Sequence, residues 1–134
     1  MENLFLDFID GIPWQRKMIK DVQSFSKGFK NIFVTELNGK VVGFASYSFM
    51  NKTKIGVVGY NAVYPVVSGN GIGTMQIKNI LKTFIKKGMK YAQVNVNLDE
   101  KHLSARKMYE KVGFKPFSSQ MKYFMQITKW NGIL

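Results

Sequence analysis

The sequence predicts an α/β fold, an α+β mixed sheet that is mostly antiparallel, with one parallel strand pair and helices packed against it. Three observations predict it. Asn38-Gly39 joins two strand-like stretches and is a strong hairpin signal. The glycine-rich stretch Gly69-Asn70-Gly71-Ile72-Gly73 lies between a strand pattern and a stretch of helical period. A further strand, helix and strand pattern then runs to the end of the chain. With 134 residues, the chain can build one hydrophobic core but not two, so residues 1–134 are read as a single domain.

In order along the chain, Leu4, Phe5, Phe8 and Ile9 recur at helical spacing and are followed by Gly11 and Pro13. Pro13 suits the first turn of a second helix running to about Ser26, with Trp14, Met18, Val22 and Phe25 on its apolar face and Gly28 ending it. Asn31 to Leu37 reads as a strand, and Lys40 to Phe49 returns antiparallel with alternating faces. A polar turn at Asn51-Lys52-Thr53 leads into a strand from Lys54 to Val63.

After the glycines, Ile72, Met75, Ile77, Ile80, Leu81, Phe84 and Ile85 form the expected buried stripe of a long helix that Gly88 closes. Tyr91 to Asn97 reads as a short strand, and its connection through a helix makes it parallel to its predecessor. A helix is expected from Asp99, as cap, to Lys111. Phe114 to Phe117 and Met121 to Thr128 are the last strands, with Met121, Tyr123, Met125 and Ile127 on one side.

Composition excludes several function classes. The chain has no cysteine, which removes disulfides, thiol nucleophiles and thiolate metal sites. His102 is its only histidine, so no histidine-built metal centre is expected. No run approaches eighteen consecutive apolar residues, and Met1-Glu2-Asn3-Leu4-Phe5 lacks the basic start and apolar core of a signal peptide, so no membrane span is expected and a cytoplasmic location is. The net charge of +12 invites a nucleic-acid reading, but all of the 20 basic residues except Arg16 and Arg106 are lysine. Specific phosphate and base recognition leans on the planar fork of arginine, so dispersed lysines read as a solvated surface and nucleic acid is not the expected partner.

The glycine stretch carries the chemistry. The first N–H groups of a helix have no partner inside it, and the macrodipole places partial positive charge there. Glycines before such a turn let successive N–H groups converge on one anion. The spacing is not that of a Walker loop, because Ile72-Gly73-Thr74 supplies no lysine, nor that of a Rossmann turn, because the glycines alternate. An ordinary strand-to-helix corner remains open on the glycines alone.

Val63, Pro65, Gly69, Gly71, Ile72 and Gly73 match in register the coenzyme A loop of the GNAT family of N-acetyltransferases, which the chain resembles. A second signature follows in the right order: Ala105, then Tyr109-Glu110-Lys111, then Gly113-Phe114. The resemblance covers roughly residues 31 to 127. It implies acetyl-coenzyme A as co-substrate, an amine acceptor, and two parallel strands that splay apart to admit the pantetheine arm near Ala62 and Val63. It also implies a pyrophosphate over the amides of Ser68, Gly69, Asn70, Gly71, Ile72, Gly73 and Thr74, further contacts from Asn97, His102 and Ala105, and Tyr109 as the general acid for the leaving sulfur.

The chain departs from the family pattern in several places. Ser68 and Asn70 stand where basic residues are usual, which removes charge-assisted bonds worth about 1.5–3 kcal/mol each. His102 stands where asparagine is usual, and the strand ending at Val63 contains no carboxylate to act as base. A coenzyme A-binding sensor or interaction module is therefore the second reading. The family's first strand has no counterpart before the opening helical pattern: it is absent, supplied by another chain, or part of something longer. An unpaired sheet edge invites a partner strand, which brings a homodimer into view.

Overall fold

The computed structural model describes residues 31–64, 69–96, 98, 100–118, 122–130 and 132. The two expected N-terminal helices, the question of a preceding strand, the Pro65–Ser68 segment, Asn97, Asp99 and Met121 lie outside them.

The described residues form a six-stranded sheet in the order β1-β2-β3-β4-β6-β5. The strands are β1 (Asn31–Leu37), β2 (Lys40–Met50), β3 (Ile55–Val63), β4 (Tyr91–Asn95), β5 (Lys115–Ser118) and β6 (Lys122–Gln126). Every neighbouring pair is antiparallel except β3 and β4. The parallel crossover is made by α1 (Ile72–Lys86), and α2 (Leu103–Val112) follows β4. The mixed sheet expected from the sequence is thus the one observed.

Local chemistry explains the elements. Asn38 and Gly39 both take positive φ, 52° and 79°, as a two-residue hairpin turn with matching twist requires. Lys87 and Gly88 close α1 by donating back to Thr83 and Ile85. The second helix is shorter than expected: a 3-10 turn at Glu100–His102 precedes it, and His102 is its N-cap.

In β2 both of the alternating sets are enclosed through the middle of the strand, since all residues from Val42 to Ser46 are buried. Ala45 packs into the main core with Ile77, Ile80, Leu81 and Phe84, while Val42 and Phe44 join Tyr64 in a smaller cluster. Consecutive strand residues point to opposite faces, so both faces of β2 are covered. One expectation about burial is corrected, for the stripe expected on α1 is rotated: Gln76, Ile77, Ile80, Leu81 and Phe84 are buried, whereas Met75 and Ile85 are 43% and 46% exposed. A polar side chain thus occupies the core position that the hydrophobic pattern assigned to its neighbour.

Candidate functional site

The site begins with an irregularity in β3. Ala45 pairs with Asn61 and Tyr47 with Val58, so Gly59 and Tyr60 together oppose Ser46. The buried Ser46 hydroxyl accepts the Tyr60 N–H at 2.8 Å. A bulge bends its strand and shifts the alternation of side chains by one. Before it, Gly56 and Val58 face α1; beyond it, Asn61 and Val63 do, since Asn61 bonds to Gln76 and Val63 lies against Gly73.

The parallel pairing of β3 with β4 ends at Val58 and Val94, the last residues before the bulge. Past that point β3 continues alongside β2 to Val63, and the Tyr64 N–H still donates to the Val42 carbonyl at 2.8 Å. The strands therefore part on the β4 side, and residues 59–63, including the half-buried Ala62 and Val63, border the gap.

The glycine turn leads into a helix whose first turn lies against the end of β3, where Asn61 and Val63 approach Gly73. Gly69 and Gly71 have φ of 86° and 79°, in the left-handed region that favours glycine. Gly71 is the N-cap of α1, with no side-chain cap, and its carbonyl receives the first helical bond from Met75 at 2.9 Å. The N–H groups of Ile72, Gly73 and Thr74 consequently have no acceptor within the helix and point out of its positive end. Gly69, Asn70 and Gly71 are exposed; Ile72, Gly73 and Thr74 are half-buried. Gly73 differs from the other two glycines: its φ is not positive, and a Cβ there would make only ordinary contacts of 3.6 Å.

Tyr109 reaches the site from α2. It is 5% exposed, its ring packs edge-on against Phe114 at 5.6 Å, and Gly113 turns the chain so that the Phe114 N–H donates to the Tyr109 carbonyl at 2.9 Å. Burial pushes the phenol up to about 12, and the Asn61 side chain pulls it partly back down. Tyr109 and Asn61 are thus brought together where β3 leaves β4. Ala105, half-buried, lies one turn before Tyr109 on α2 and shares its face, and the half-buried His102 caps the start of that helix. Ser68 and Asn97 lie outside the described residues.

Asn61 was not legible as a site residue from the sequence, nor was Gln76. The Gln76 carboxamide donates to Asn61 Oδ1 at 2.7 Å and to the Phe44 carbonyl at 3.2 Å, and accepts from the Thr35 hydroxyl at 2.7 Å. Asn61 Nδ2 donates to the Gly73 carbonyl at 3.2 Å, in the first turn of α1. The available signal was positional: Gln76 begins the stripe 76, 77, 80, 81, 84, which is the better helical face. Among the described residues no group of three or more His, Cys, Asp or Glu side chains could hold a metal ion, and no helix is long and apolar enough to cross a membrane.

A splayed parallel pair beneath a bare helix end matches the profile that the sequence suggested. The family model for GNAT acetyltransferases matches residues 2–114. The chain belongs to the acetyltransferase (GNAT) family. Solved structures share its fold: an IAA acetyltransferase from Bacillus cereus has a TM-score of 0.68 at 18% identity, covering 80% of this chain and 83% of its own. The ribosomal-protein-S18-alanine N-acetyltransferase from Escherichia coli has a TM-score of 0.62 at 19% identity, over 87% of this chain and 79% of its own. A GNAT acetyltransferase from Brucella melitensis, solved in complex with acetyl-CoA, has a TM-score of 0.57 at 19% identity, over 84% and 67%. No curated protein matches the chain in sequence. As a GNAT acetyltransferase, the protein uses acetyl-CoA as its acetyl donor.

Proposed function

We propose that this GNAT chain transfers the acetyl group of acetyl-CoA to a primary amine, of a small molecule or a protein, with Tyr109 as the acid that serves the leaving sulfur. The meeting of the Tyr109 phenol with Asn61 at the mouth of the β3–β4 gap carries this reading. In it, the pyrophosphate lies over the amides of residues 68 to 74 and the pantetheine arm runs past Ala62 and Val63. His102 and Ala105 line the other side, and the family resemblance adds a contact from Asn97. Bare amides and a strand edge without a β4 partner are the groups such a molecule would use.

The reaction joins the amine nitrogen to the acetyl carbon, breaks the carbon–sulfur bond, and moves one amine proton to sulfur. Holding thioester and amine in contact supplies much of the acceleration. The high phenol pKa decides how Tyr109 takes part. At about 12 it is fully protonated at neutral pH. Against a thiol near 8.5, complete transfer of its proton to a thiolate is uphill by about 3.5 units, roughly 5 kcal/mol. Tyr109 therefore gives up its proton only as it gains another: the O–H proton moves to the sulfur as the carbon–sulfur bond breaks, and the nitrogen passes its proton to the phenol oxygen in the same collapse.

A coenzyme A-binding module without turnover is the second reading, favoured by the lack of a carboxylate on β3. Thiol release measured with a disulfide dye over a panel of amines separates the two. The protein contributes no thiol background because it has no cysteine. Release that depends on both acetyl-CoA and one class of amine supports transfer. Tight acetyl-CoA binding with no release above hydrolysis across the panel selects the module.

A further inference from the structure

We infer that Gln76 and Asn61 form a positioning pair that ties the first turn of α1 and the Tyr109 hydroxyl to the splayed end of β3. The inference rests on the transfer reading for its kinetic consequence, but the geometry beneath it is independent of that reading.

Gln76 is fully buried at the start of the otherwise apolar stripe of α1, and its amide is engaged at both ends. Its nitrogen faces the Phe44 carbonyl at 3.2 Å, the Ala62 carbonyl at 3.4 Å and Asn61 Oδ1 at 2.7 Å, so this end must be the NH2. Its oxygen then faces the Thr35 hydroxyl at 2.7 Å. The neighbouring strand leaves room for it: a Cβ at Gly43 would fall 2.6 Å from the Gln76 oxygen. Three strands and a helix thus converge on one carboxamide.

This fixes the orientation of Asn61. Its oxygen receives the Gln76 donor and its nitrogen meets the Gly73 carbonyl at 3.2 Å; the flipped amide would set donor against donor and acceptor against acceptor. Asn61 therefore offers N–H, not C=O, to its surroundings, and it acts on the Tyr109 phenol as a donor, pulling its pKa down. A phenol oxygen approached by a donor has its own O–H left to point into the gap. Gly73 is in the turn whose bare N–H groups face the nucleotide in the proposed reading, so the same side chain sets that turn against the strand edge. Preorganisation of this kind matters because displacement by about 1 Å can cost on the order of a hundredfold in rate.

Replacing both amides with apolar residues of similar size tests the pair, since removing only one leaves a buried polar group unpaired. In the double variant Asn61→Leu with Gln76→Met, the protein should still fold, with a melting temperature lowered by several degrees because the Thr35 hydroxyl loses its acceptor. The phenol, followed by fluorine NMR of 3-fluorotyrosine placed at position 109, should titrate at higher pH. Turnover should fall roughly ten- to a hundredfold, and acetyl-CoA should bind several-fold more weakly by calorimetry. Thr35→Val, which keeps its shape and cuts only the far anchor, should shift the titration in the same direction by less.

An unchanged titration in the folded double variant, with affinity and turnover within twofold of the parent, overturns the inference. Should the double variant not fold, an unchanged titration in Thr35→Val overturns it. A parent protein without acetyl transfer sinks the transfer reading alone, because fluorine titration and calorimetry still report on the pair.

Discussion

Gly56 lies directly beneath the ring of Phe84: a Cβ built on this glycine would run into the ring's Cδ2. Gly56 pairs with Ala92 across the parallel strands, and both are buried, so two small residues form a shallow seat for the helix. Tyr47 and Phe49 pack edge-on around the same ring at 5.9 and 5.8 Å. The close approach holds α1 where β3 and β4 are still paired, two residues before they part.

Gly56→Ala should therefore destabilise the protein by about 1–3 kcal/mol, because the fully buried Phe84 ring stands where the new methyl would go and must be displaced. Urea denaturation of the variant against the parent measures it. A loss under 1 kcal/mol would mean that the helix shifts away easily and is not held at this point.

The alternating glycines should respond differently to alanine. Gly71→Ala forces a side chain into the left-handed region at the helix N-cap and should cost about 1–2 kcal/mol, with weaker acetyl-CoA binding. Gly73→Ala lies within the helix with ordinary contacts and should raise stability by up to about 1 kcal/mol. Thermal melts of both variants, with and without acetyl-CoA, check the signs.

Tyr109→Phe removes only the hydroxyl. Turnover should drop by on the order of a hundredfold or more, while the dissociation constant for acetyl-CoA stays within twofold. Steady-state kinetics with calorimetry separates the two quantities. Equal turnover in the variant would strip Tyr109 of its part in the chemistry.

The same phenol predicts a loss of stability in alkali. Its pKa lies near 10.0 in the unfolded chain and is raised to about 12 in the fold. Below pH 10 both states keep the proton and the contribution is intact. From pH 10 to 12 the unfolded chain sheds a proton that the folded protein retains, so stability falls with rising pH, by roughly 3 kcal/mol in all. Lysine deprotonation adds a background common to parent and variant. The slope in urea-denaturation free energy should accordingly be shallower in Tyr109→Phe, and parallel slopes would contradict the burial of this hydroxyl.

Acetyl-CoA should raise the melting temperature. At a hundredfold excess over its dissociation constant, stabilisation is about 2.7 kcal/mol, since the ligand binds the folded state alone. Desulfo-coenzyme A, which retains the nucleotide but lacks the sulfur, should give most of this shift if the bare amides of α1 carry the binding.

By itself the sequence determined the order of the elements, the hairpin at Asn38-Gly39, the glycine turn into α1 and the helix bearing Tyr109. Each of these is written in neighbouring residues: positive φ, helical period and capping are local properties. The family match over residues 2–114 follows from the same local signatures. Tertiary structure alone decided which side chains face the gap. The bulge at Gly59 and Tyr60 depends on the register against β2, and one extra residue exchanges the faces of everything beyond it, bringing Asn61 rather than Tyr60 toward α1. Gln76 likewise reads as a polar interruption until Thr35, Phe44 and Asn61, which lie 41, 32 and 15 residues away, supply its hydrogen bonds. Periodicity registers how apolar a position is; a buried amide is stable only through partners that distant parts of the chain bring to it.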